Sequence, residues 1–320
     1  MQNSNLRGAR ARKSFTKTKD RIWAGYDDFA AWLARRPGPV RRSGDGVFGA
    51  LLWTADVLPG NSVRPTFVAL AKQANAGPPR PLFRRFVRQF VRGMDRIEQV
   101  RHGYTDAIDD MLRMPEQDRL DAMLAKGGAV LAIPHTHASL AMGRGLGRKY
   151  PILALVRSTA TEKRAASEWE IYENLGCVFV DIRLEKPTTV ARKVLAALNA
   201  GRLVVGTVDR IREAPPPDDP IDSRHDTVRV SAFGEPIGLT GWPARFTPKS
   251  GSPIVAATVV QTADAITLEL GEAVHPTDDI TQTSQAWIAE LEKLFRQHPE
   301  EWTFALDKHW SRVLRNSVDR

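Results

Sequence analysis

The sequence predicts a mixed α/β fold: a largely parallel sheet flanked by helices and preceded by an N-terminal helical region. Three observations carry that expectation. Short apolar runs at residues 129–133, 152–156, 178–181, 203–208, 254–260 and 266–270 have the length and β-branched content of buried strands. Helix-compatible stretches at 138–146, 161–174 and 188–199 separate most of them, as crossover connections between parallel strands require. Ahead of the first run, apolar residues recur at helical rather than strand spacing.

Taken in order, residues 1–46 read as a basic, partly disordered arm. Its first 45 residues hold eleven Lys and Arg against four Asp, most of the chain's net charge of +9, and such an excess points to an anionic partner. Residues 47–320 read as one domain, with a helical region at 47–126, an α/β core at 127–272 and a helical end at 273–320. The run VFGALLWTADVL at 47–58 is interrupted by Asp56 and falls short of the ~20 apolar residues that span a bilayer. Phe83, Phe86, Val87, Phe90, Val91, Met94 and Ile97 share one helical face, and Arg84, Arg85, Arg88, Arg92 and Arg96 lie opposite. That pattern suits either a packed helix with a solvated arginine face or a helix lying on an anionic membrane surface. The basic start is not followed by an apolar leader and cleavage site, so the expected location is cytoplasmic, peripheral on the inner face of the cell membrane. No helix-turn-helix, zinc-finger or RNP-like pattern accompanies the charge, so no specific nucleic-acid partner is expected. The single cysteine, Cys177, excludes an internal disulfide and sits in an apolar run, CVFVD.

The segment AVLAIPHTHASLAM at 129–142 carries the most chemistry. It places His135 and His137 just beyond a buried strand, where open α/β sheets hold their ligands, and a helix follows. A histidine there is either a general base beside helix-terminal N–H groups or a satisfied residue of the turn. His-x-His also resembles the first metal-binding strand of amidohydrolases, which makes a metal-dependent hydrolase a competing reading. That chemistry needs further ligands at later strand ends, and of His102, His225, His275, His298 and His309 only His275 closely follows a predicted strand. No metal is expected.

Four further stretches follow. PILALVRSTA ends a strand at Arg157; ALNAGRLVVGTVDR ends one at Asp209 and Arg210; VSAFGEPIGLTGWPARFTPKSGSPIVAATV contains Phe233, Gly234, Thr240 and Gly241; and HPEEWTFALDKHW lies near the end. In this order and spacing, residues 47–310 resemble the lysophospholipid acyltransferase superfamily, and within it the bacterial lipid A lauroyl/myristoyl acyltransferase branch. The resemblance implies an acyltransferase-like fold. It also implies acyl transfer from acyl-CoA or an acyl carrier protein to a hydroxyl or amine of a lipid or glycolipid acceptor, with no other cofactor. His135 falls on the family's catalytic histidine. The family's acid, after four intervening residues, would stand at position 140, where this chain has Leu140. Three arrangements answer that departure. Asp209 or Glu168 orients His135; His137 is the base, held by Ser139 or a carbonyl; or catalysis is lost and acyl-chain binding remains. N–H groups of the turn after His135 are the expected oxyanion donors. Arg157, Arg210 and Arg212 are candidates for a phosphate on the acceptor or on the donor's phosphopantetheine arm, because guanidinium forks match phosphate oxygens. Phe233, Gly234, Thr240 and Gly241 are expected to shape the acceptor pocket.

Overall fold

A strand apolar at every position must be covered on both faces. A computed structural model, which describes residues 25, 28–58, 61–159 and 162–318, shows how this is done. Strand β2 (Ala129–Ile133) is buried throughout. Its Val130 and Ala132 enter one apolar cluster, and its Ala129, Leu131 and Ile133 enter a second on the opposite face, because successive side chains of a strand alternate.

In chain order the helices α1 (Gly38–Trp53), α2 (Val63–Gln73), α3 (Pro79–Arg101) and α4 (Asp106–Asp109) lead through the short strand β1 (Leu112–Arg113) and helix α5 (Gln117–Leu124) to β2. The core continues with α6 (Ser139–Lys149), β3 (Ile152–Val156), α7 (Glu162–Glu173), β4 (Val178–Asp181), α8 (Pro187–Asn199) and β5 (Leu203–Thr207). After β6 (Ile221–Asp222), β7 (Thr227–Ala232) and β8 (Glu235–Thr240) come α9 (Trp242–Ser250), β9 (Ile254–Gln261) and β10 (Ile266–Val274). Helices α10 (Ile280–Gln297) and α11 (Lys308–Asn316), with a 3-10 turn at Thr303–Leu306 between them, complete the order.

The main sheet has seven strands in the order β1-β10-β9-β2-β5-β3-β4. β9, β2, β5, β3 and β4 run parallel, and β10 is antiparallel to β9. Helix α6 contributes Met142 and Leu146 to one face, while α8 contributes Val194 and Leu198 to the other. Since β5 inserts between β2 and β3, the connections leaving β2 and β5 run toward opposite sides of the sheet. Their carboxyl ends flank such a switch point, where open sheets form a crevice.

Two expectations are corrected, for residues 38–46 and for Arg96. Residues 38–46, assigned to the basic arm, belong to α1, where a Cβ on Gly49 would lie within 4 Å of Val87 and Val91 on α3; residues 1–24 lie outside the described residues. Phe233 and Gly234 form a hairpin turn between β7 and β8 in a separate three-stranded sheet with β6. Both have positive φ, 52° and 78°, as a two-residue turn matched to strand twist requires. Arg96 is not on a solvated face. It is 3% exposed and donates to Gln261 Oε1 at 2.8 Å and the Thr262 carbonyl at 2.8 Å, satisfying the tip of the β9–β10 hairpin.

Candidate active site

β2 and β5 pair in register with Ile133 opposite Thr207, so the residues two positions beyond each strand end meet. These are His135 and Asp209. The His135 Nδ1 lies 2.5 Å from Asp209 Oδ1, and the His135 backbone N–H donates to Asp209 Oδ2 at 3.0 Å. Asp209 is fully buried while the His135 side chain keeps 27% of its surface exposed. A carboxylate receiving Nδ1–H fixes the tautomer that leaves Nε2 unprotonated, and Nε2 has no partner among the described residues. Glu168 is engaged elsewhere, accepting from the Thr159 N–H at 2.9 Å. Leu140, at the position of the family's acid, packs against the apolar cluster of Met142 and Ile133.

The C-terminal segment closes over this pair. Trp302 forms a bridge with Thr136, and Thr303 donates to the His135 carbonyl through its N–H at 2.9 Å and its hydroxyl at 2.6 Å. Trp302 Nε1–H donates to Asp209 Oδ2 at 3.1 Å, and Trp310 Nε1–H donates to the Asp209 carbonyl at 2.6 Å. Phe304 stacks on the His135 ring at 3.9 Å with planes 4° apart. The sequence shows these residues only as an aromatic stretch, HPEEWTFALDKHW, and spacing carries no hint of contact with a strand end about 170 residues earlier.

His137 is placed differently. Its ring is buried between Phe86 and Phe90 on α3, centroids 4.8 and 5.6 Å away, and Nε2 donates to the Glu300 carbonyl at 3.1 Å. Burial pushes its pKa down to about 3, so it stays neutral. α3 approaches the turn closely: a Cβ on Gly93 would lie 2.4 Å from the His137 carbonyl oxygen. The two imidazoles therefore face different surroundings rather than one metal position, and no group of three or more His, Cys, Asp or Glu that could hold a metal occurs among the described residues.

Arg157 follows β3 on the same edge. Partial burial and the charges of Arg210, Arg183 and Arg212 hold its pKa below the usual arginine range, with Asp181 opposing them. Arg210 lies 5.4 Å over the Phe304 ring. This crowding of guanidinium groups beside His135 favours an anionic ligand. Arg183, which the sequence reading did not single out, joins the group because β4 ends next to β3.

The four residues expected to shape an acceptor pocket are not together in the cleft. Phe233 is buried, stacked 6.1 Å from Trp302 and edge-on to Trp310 at 6.2 Å, while Gly234 occupies the exposed hairpin turn. Thr240 donates to Asp226 Oδ2 at 3.2 Å, and the Gly241 N–H donates to the Asp226 carbonyl at 2.9 Å. Gly241 starts α9, whose Trp242 ring fills the space over Gly206 on β5.

The fold and site are those of an α/β protein whose strand ends carry a histidine–carboxylate pair and a cluster of arginines on one edge. The profile of the bacterial lipid A biosynthesis acyltransferase family matches residues 73–312. The chain belongs to that family. No curated relative matches it.

Proposed function

We propose that this protein transfers an acyl group from a thioester donor, acyl-CoA or acyl carrier protein, to a hydroxyl or amine of a lipid or glycolipid acceptor, with His135 as general base. The carrying observation is the 2.5 Å contact of His135 Nδ1 with buried Asp209, which restores from a neighbouring strand the carboxylate missing at Leu140. In the reaction His135 Nε2 takes the acceptor's proton as the acceptor oxygen or nitrogen bonds to the thioester carbonyl carbon. N–H groups in the first turn of α6, which lack intrahelical acceptors, supply donors for the resulting oxyanion. Collapse of the tetrahedral intermediate breaks the carbon–sulfur bond, and the imidazolium returns the proton to the leaving thiolate. Asp209 holds the imidazolium throughout. Phe304 shields one ring face, and Arg157 and Arg210 bind phosphate on the acceptor or on the donor's phosphopantetheine arm.

Membrane attachment belongs to the same reading. Val47, Leu51, Val57 and Leu58 are more than half exposed, and exposed Arg42, Arg84 and Arg88 accompany them. Arg84 reaches over the Trp53 ring at 5.8 Å. No helix among the described residues is long and apolar enough to cross a membrane, so this mixed apolar and cationic face supports peripheral docking on the anionic inner surface of the cell membrane.

The test is product formation from acyl-CoA and acyl carrier protein donors by wild type, His135→Ala and His137→Ala. Loss of several orders of magnitude in His135→Ala, with a folded protein, is the expected result. Full activity in that variant would sink the reading. Acyl-chain binding without turnover in the wild type would favour the alternative, a catalytically lost lipid-binding member.

A further inference from the structure

Asp209 reaches His135 from a neighbouring strand, and its carboxylate has three donors: His135 Nδ1 on Oδ1, and the His135 N–H and Trp302 Nε1–H on Oδ2. The Trp302 donor cannot swing away. Its ring is stacked on Phe295 at 3.8 Å, packed edge-on against Trp310 at 4.8 Å, and its backbone is bridged to Thr136. A neighbouring indole shows that this hydrogen bond is more than a packing necessity. Trp287 is fully buried in the same apolar cluster, yet its Nε1 has no hydrogen-bond partner among the described residues.

We infer that Trp302 is a positioning residue that sets, through Asp209, the orientation of the His135 imidazole and how firmly the pair holds a proton. The inference rests on the acyl-transfer reading above. A buried carboxylate shares its negative charge among its donors. While Trp302 donates to Oδ2, less charge is available to the imidazolium at Oδ1. Removing the indole N–H leaves Asp209 more basic, so the imidazolium persists to higher pH and less free base is present at neutral pH. Trp310 acts on the other side of the residue, fixing the Asp209 carbonyl at 2.6 Å and with it the backbone from which the carboxylate projects.

The experiment compares Trp302→Phe with Trp287→Phe. Both lose the same ring atoms from the same core, but only the first loses a donor to Asp209. Trp302→Phe is expected to move the acidic limb of the kcat profile upward by about half a pH unit or more and to lower kcat roughly tenfold, with KM for donor and acceptor unchanged. Trp287→Phe is expected to leave the limb in place. Titration of the His135 imidazole by NMR, with its resonance assigned through His135→Ala, reads the same shift without turnover. If His135→Ala retains activity, the acyl-transfer reading fails, and the NMR titration still decides whether Trp302 tunes the pair. An unshifted limb together with an unshifted titration in Trp302→Phe overturns the inference, even if that variant melts earlier.

Discussion

Asp209→Asn keeps the shape of the side chain but removes the charge that holds an imidazolium and allows the wrong tautomer at His135. In the serine-protease triad the same change costs on the order of 10⁴-fold. A kcat loss of about 10³- to 10⁴-fold is expected here, measured by product formation with folding checked by circular dichroism. A second residue makes a stability prediction. Glu301 is 1% exposed, accepts the Gln261 N–H at 3.0 Å, and burial pushes its pKa up to about 8, against the weaker pull of Arg92. The folded state therefore keeps a proton that the unfolded chain releases near its ordinary value of 4.5. Stability falls as pH rises from that value through about 8. Glu301→Gln is neutral at every pH and retains an acceptor, so its stability is expected to exceed wild type at pH 9 by roughly 4–5 kcal/mol and to converge with it at pH 4. Chemical denaturation at the two pH values checks this; a constant difference would refute it.

Helix α3 shows what an element does with its two faces. Its apolar residues pack inward as periodicity requires, but Arg96 also points inward and holds the β9–β10 turn through Gln261, Thr262 and Ala263, at 2.8 to 3.2 Å. Arg96→Ala strands these acceptors and should cost about 2–4 kcal/mol, read as a lower denaturant midpoint. Lysine should rescue only partly, because an ammonium lacks the planar fork. Gly93 presents no side chain to the His137 carbonyl. Gly93→Ala pushes α3 away from the turn that carries His135, so a loss of about 1–3 kcal/mol in stability should come with reduced turnover.

For the whole molecule, flotation with vesicles tests whether the face built by α1, the start of α3 and residues 54–58 docks on a membrane. Binding to anionic vesicles is expected to weaken as salt is raised, at about 1 kcal/mol for each basic residue near the surface. Equal flotation with anionic and neutral vesicles would refute the electrostatic part. Substituting Leu51 and Leu58 with Ser should weaken binding to both vesicle types, since their exposed side chains supply the apolar contact. Arg96→Ala should leave flotation unchanged in folded protein, because that guanidinium is buried.

Strands were legible wherever an apolar run had strand length: the expected 152–156 and 178–181 coincide with β3 and β4. His135 and Asp209 were legible as residues at strand ends, because each follows an unmistakable run. The burial of Arg96 was not, because helical periodicity assigns a face without saying what will pack against it. The Phe233–Gly234 turn was equally hidden, since its positive φ values depend on the pairing of β7 with β8. By itself, then, the sequence determined the central strands of the main sheet and the helices between them, through hydrophobic periodicity, and which residues follow those strands, but not β1 or the separate sheet of β6, β7 and β8. Tertiary structure alone decided that β5 lies beside β2, bringing Asp209 onto His135, and that Trp302 and Trp310 close over them. Those contacts join residues 74, 93 and 101 positions apart, and such pairings come from the register of the sheet and the packing of the core rather than from any local preference of the chain.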